Sequence, residues 1–141
     1  MKKSNVFFGI STLFLLVFGV LYVIWPLAPY HEDIIGMTAA ELFSGDPGVA
    51  DLMTTLVSVN GLLFIVLGIF ILGTGSLAWQ HRAAWLSLLV ALIIFAGPFA
   101  YFTYIVAEVG GPYFVIFIPM LCQAIGLVLA AKERQWPGKS S

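Results

Sequence analysis

Charge is what this chain has least of. Only 9% of its 141 residues are Asp, Glu, Lys or Arg, against about 25% in a soluble domain. A water-facing surface cannot be built from so few charges, and a mean hydropathy of +1.05 implies an integral membrane protein. The net charge of −1 leaves no basic excess, so nucleic acid is not an expected partner. Cysteine is nearly absent. Cys122 stands alone, which excludes an internal disulfide and a dithiol redox pair, and it reads as a small, buried apolar residue. Histidine is limited to His31 and His81. They fall on opposite sides of the membrane in the topology below, so one chain has no bis-histidine haem site.

The apolar runs lack something too. Four of them, at about residues 6–25, 52–73, 83–104 and 112–131, are long enough to cross a bilayer as helices. None has an Asp, Glu, Lys, Arg or His in its interior. Intramembrane ionisable groups mark proton relays and ion pathways, so proton-coupled export has no carboxylate to use. Serine–histidine–acid chemistry has no nucleophile turn, and Gly73-Thr74-Gly75-Ser76 is the end of an apolar run, not a phosphate cradle. Tyr30-His31-Glu32-Asp33 holds ligand-type side chains, but adjacent residues seldom converge on one ion. No catalytic residue, cofactor or metal site is expected, and the chain does not read as an enzyme.

Small residues are present, and they are patterned. Thr54, Gly61, Gly68 and Gly75 recur every seven residues, with Ser58, Ile65 and Leu72 between them. In lipid, helix association depends on close backbone approach, which small residues permit. The stretch Asp51–Gly75 is therefore expected to be the packing centre. Gly9, Thr12, Leu16, Gly19 and Val23 form a matching row in the first run. Ser87 and Ala91 in the third run and Cys122 and Gly126 in the fourth form further rows. These are expected to remain open and to face a partner.

The outer loop, residues 26–50, contains Thr38-Ala39-Ala40-Glu41, a capping box. It predicts a short amphipathic helix over about 39–44, stopped at Gly45. Asp46-Pro47 reads as the N-cap and first residue of the second span. An inner loop occupies 74–82, Pro112 opens the fourth span, and a tail covers 132–141. With alternating loops, Lys2, Lys3, Arg82, Lys132, Arg134 and Lys139 share one side. Every acid but Glu133 lies on the other. The positive-inside rule then places both termini in the cytoplasm, and the compact spans suit a bacterial inner membrane. The expected fold is all-α: a single membrane domain over 1–141, an antiparallel four-helix transmembrane bundle with the short amphipathic helix outside.

Two uncharged polar residues lie deep in the spans. Asn60 is about 12 Å and Gln123 about 16 Å below the outer face at 1.5 Å per residue. They are expected to hydrogen-bond to each other, or to line a polar notch with Ser58, Thr103 and Tyr104. The expected function is non-catalytic helix–helix interaction, as a subunit of a membrane complex or a homo-oligomer. The partners would be membrane lipids and another membrane protein or a second copy. The alternative is a carrier or binder of a small apolar molecule such as a lipid or quinone. Its cavity would lie between the third and fourth spans, where Pro98 and Pro119 kink them.

Overall fold

The computed structural model describes residues 2–27, 29–108, 110 and 113–136, with the backbone alone at 29, 30 and 113–116. Pro112 and Lys139 lie outside the described residues. The described residues form helices and no strand: α1 (Lys3–Ile24), α2 (Pro29–Ile35), α3 (Ala39–Gly45), α4 (Pro47–Gly75), α5 (Arg82–Glu108) and α6 (Tyr113–Glu133). Three of them, α1, α4 and α5, are long and apolar enough to cross a membrane.

Helices α1 and α4 run antiparallel with their backbones in contact. A Cβ on Gly19 would lie 2.6 Å from the Gly61 carbonyl oxygen, and a Cβ on Gly61 would lie 2.6 Å from the Gly19 oxygen. Gly68 faces Leu15 and Leu16, and Gly75 faces the Phe8 ring. Thr12 donates its hydroxyl to the Gly68 carbonyl at 3.1 Å, tying the pair together midway. Gly9 belongs to no contact row, since a side chain there would meet open space. The face that α1 buries is instead Ser4, Phe8, Ser11, Thr12, Leu15, Gly19 and Tyr22.

The centre of packing is α1, not the Asp51–Gly75 stretch. The buried share of the apolar window is 33% in α1, 22% in α4 and 17% in α5. The reason is that α1 packs on two sides, against α4 and against α6, whereas Gly61, Gly68 and Gly75 of α4 all face α1. Phe8 joins the three. Its ring lies between Gly75 of α4 and Gly126 of α6, and it is 1% exposed.

At one end of the molecule α2 and α3 cap the long helices. The capping box of α3 is formed: the Glu41 amide donates to Thr38 Oγ1 at 3.2 Å and the Thr38 amide donates to Glu41 Oε2 at 2.8 Å. Leu42 from α3 is buried with Leu27 and Ala50, while Met37 and Phe43 remain exposed. Asp46 Oδ1 accepts from the Val49 amide at 3.1 Å and opens α4, with Pro47 at its start. Helix α2 is an addition to the sequence-based picture. Pro29 opens it, and Gly36 ends it with φ 78°, a conformation that glycine adopts freely.

At the opposite end the chain closes on itself through Glu133. Its carboxylate accepts from the Lys3 amide at 3.0 Å, the Ser4 amide at 3.4 Å and the Ser4 hydroxyl at 2.7 Å. The first amides of a helix have no partner within it, so α6 supplies the cap that α1 lacks. Trp136 Nε1 donates to the Ala78 carbonyl at 3.1 Å, the Gln135 amide donates to Trp79, and Lys2 Nζ sits over the Trp79 ring. Burial pushes the Glu133 carboxyl up, but the Ser4 hydroxyl, the Ser4 and Lys3 amides and the charge of Lys2 together outweigh it and hold it below the ordinary 4.5. A carboxylate favoured in the folded state stabilises above its ordinary pKa and stops doing so as pH falls through its folded value. In thermal unfolding scans across pH, the difference between wild type and Glu133→Gln is therefore expected to be full above about pH 4.5 and to close as the pH falls further. A constant difference would refute this account of the contact.

Candidate functional site

The long helices do not meet equally closely. Helices α5 and α6 are bound by two side chains: Trp85 Nε1 donates to the Leu127 carbonyl at 2.8 Å, and Gln123 Nε2 donates to the Leu88 carbonyl at 3.0 Å. Between α4 and α5 there is instead a cleft in two adjoining parts. The upper part, toward α2 and α3, has a volume of about 240 Å³. Phe64, Phe95, Phe99 and Phe102 wall it with Pro98. The lower part, about 350 Å³, is an open groove lined by aliphatic side chains including Val66, Leu67, Val90 and Ile94, with Phe70 at its far end, and Val66, Val90 and Ile94 are exposed. Leu63 and Phe95 border both parts.

The walls of the upper part come from helical spacing. Phe95, Phe99 and Phe102 repeat at intervals of four and three on α5, which keeps them on one face. Phe64 of α4 meets Phe99 with ring centroids 5.5 Å apart, a spacing at which tilted rings attract. Pro98 lies within α5, and having no N–H it cannot complete the helical bond to the Ile94 carbonyl.

Asn60 is the one polar side chain among the described residues lining the upper part, and among those residues its amide has no hydrogen-bond partner. Asn60 is half-buried, so its amide remains reachable from the cleft. Asn60 and Gln123 are not bonded to each other. Gln123 is buried and committed to Leu88. It borders a void of about 10 Å³ that also touches Phe95 and Phe99. These two phenylalanines border the upper cleft as well, so the two amides are on different sides of them. Ser11 borders the same void, and its buried hydroxyl has no partner among the described residues.

The remaining notch residues do not join Asn60. Thr103 donates to the Phe99 carbonyl at 2.7 Å within its own helix, Tyr104 is exposed and bonds to Glu108, and Ser58 is half-buried outside the cleft. Thr54 bonds back to the carbonyls of Ala50 and Asp51. The residues expected on a partner face divide. Ser87 and Ala91 line the lower cleft, with the Ser87 hydroxyl donating to the Ala83 carbonyl at 3.0 Å. Gly126 is buried under the Phe8 ring and is withdrawn from any external surface. Cys122 is a free thiol, half-buried on α6.

The cavity expected between the third and fourth spans is also elsewhere. Pro98 lines the cleft on the α4 side of α5. Pro119 borders two small voids of about 20 and 10 Å³, where the Trp85 and Gln123 bonds hold α5 against α6. Outside the spans, three acids accept backbone amides. Glu32 Oε1 accepts from the Ala39 amide at 2.8 Å, Glu41 serves Thr38, and Asp46 serves Val49. His31 packs edge-on against Tyr22 at 5.4 Å, and burial lowers its pKa. Among the described residues no group of His, Cys, Asp and Glu side chains is placed to hold a metal. No protein-family model matches the chain, and no curated protein or solved structure matches it.

Proposed function

We propose that this chain is an antiparallel four-helix transmembrane bundle, with α6 as the fourth span, that binds a small apolar molecule of the membrane in the α4–α5 cleft. It works without catalysis. Both termini lie in the cytoplasm, and the membrane is a bacterial inner membrane. The observation that carries the reading is Asn60, an unpartnered amide in an otherwise apolar, aromatic-walled cleft. Ligand sites are typically apolar concavities with a few placed polar groups, and this cleft has that character.

Native mass spectrometry of gently extracted protein tests the reading. A bound small molecule is expected on the 15.3 kDa chain. Ala91→Trp, which fills the lower cleft, should remove it. Ile93→Trp, at an exposed position outside the cleft, should leave it in place. A chain that carries nothing, or that keeps its ligand in both variants, would end the proposal. A second reading is interaction with another membrane protein or a second copy. It is favoured by Ser87 and Ala91, small residues that admit a helix to the lower cleft. In the same spectra a second polypeptide, or a discrete multiple of the chain mass, lost in Ala91→Trp would support that reading instead.

A further inference from the structure

We infer that the ligand is a ring-and-tail molecule whose ring bears a carbonyl oxygen, the quinone class, with the ring in the upper cleft and the tail in the lower. The inference rests on the cleft being a ligand site and adds what fills each part. Two features of the cleft set the shape. The upper part, at about 240 Å³, is smaller than the ~300–1,000 Å³ of sites that enclose whole drug-sized ligands, so it suits one ring. Its walls are phenylalanines, which favour a flat ring through offset or edge-on stacking. The lower part continues along α4 to Phe70. Asn60 and Phe70 are separated by about 15 Å of helix at 1.5 Å per residue, which accommodates an extended alkyl or isoprenoid tail.

Asn60 sets the chemistry. Its Nδ2 can donate to a ring carbonyl, and its Oδ1 can accept from the hydroxyl of the reduced ring. A plain hydrocarbon would leave the amide unsatisfied. A phospholipid ester offers the same carbonyl acceptor but brings a charged headgroup, and no Lys, Arg, His, Asp or Glu is among the described residues lining either part. The shared carbonyl chemistry therefore favours an uncharged ring over a lipid ester.

The test uses the full chain in detergent, stripped of bound lipid, with occupancy read by native mass spectrometry. The probes are a decyl-tailed benzoquinone, decylbenzene and a short-chain phosphatidylcholine. Decyl-benzoquinone is expected to bind best, and Asn60→Leu to weaken it about tenfold, the effect of losing one hydrogen bond. Decylbenzene should bind more weakly to wild type and be indifferent to Asn60→Leu. The wild-type comparison of the two ring probes needs no variant, so it decides the matter even if Asn60→Leu fails to fold. Equal binding of decylbenzene and decyl-benzoquinone, both abolished by Ala91→Trp, would overturn the carbonyl ring while leaving the cleft as a site. Phosphatidylcholine displacing the quinone would assign the cleft to lipid and also overturn it. Failure of every probe, or binding unchanged in Ala91→Trp, would overturn the cleft reading itself.

Discussion

Gly61→Ala is expected to destabilise the protein by about 1–3 kcal/mol, the range for overpacking a close contact, in reversible unfolding from mixed micelles. The added methyl carbon would sit 2.6 Å from the Gly19 carbonyl oxygen and 2.8 Å from Tyr22 Cβ. Neither obstacle is the loose end of a side chain. One is backbone on the partner helix, so α1 and α4 must separate along their length, and the Thr12 bond to Gly68 at 3.1 Å would stretch with them. Gly19→Ala should behave alike, because it faces the reciprocal backbone oxygen at 2.6 Å. Gly9→Ala and Gly73→Ala supply the control. Both positions open onto space, so both variants should be as stable as wild type or up to about 1 kcal/mol more stable, alanine being the better helix former. If all four glycine variants lost stability equally, the α1–α4 contact would not be the cause.

Phe8→Ala is expected to cost about 3–5 kcal/mol, the range for removing a large buried ring. The site cannot easily collapse, because the two surfaces on either side of the ring are glycine backbone. A Cβ on Gly75 would lie 2.8 Å from Phe8 Cδ2, and one on Gly126 would lie 2.7 Å from Cε1. That geometry makes a second outcome measurable. Gly126→Ala alone should destabilise by overpacking, yet the same change in the Phe8→Ala background should be neutral or favourable, since the methyl then enters the space the ring left. A double-mutant cycle should return a coupling within the roughly 0.5–3 kcal/mol seen for residues in contact. Additive effects would mean that the ring and Gly126 do not share a contact.

Local chemistry was legible in the sequence, and so was the all-helical character. The Thr38–Glu41 box and the Asp46-Pro47 start of α4 involve residues three apart, so their partners are known without a fold. The absence of ionisable residues from the apolar runs was enough to identify α1, α4 and α5 as helices of membrane-crossing length. The rows of small residues were visible too, but not their destinations. Nothing in the spacing of Gly9 and Gly19 says that one faces open space and the other a backbone, because small residues on a helix look alike until the neighbour is placed. Glu133 stood out only as the one acid on the basic side, and its role depends on a helix start some 130 positions earlier. The amides of Asn60 and Gln123 matched in depth, yet depth does not fix azimuth. A rotation about the helix axis decides whether an amide meets a carbonyl or a cleft. For the same reason Pro98 signalled an irregular helix without saying on which side of it the space would open.

The position of α1 also bears on biogenesis. Both of its packing partners, α4 and α6, are translated after it, and the carboxylate that caps its first amides arrives only with the end of α6. From its own synthesis until α6 emerges, α1 must wait with Ser4, Ser11 and Thr12 turned toward neighbours that do not yet exist. A slow step in maturation should therefore end with the arrival of α6, and chains arrested before Glu133 should be those that membrane quality control removes.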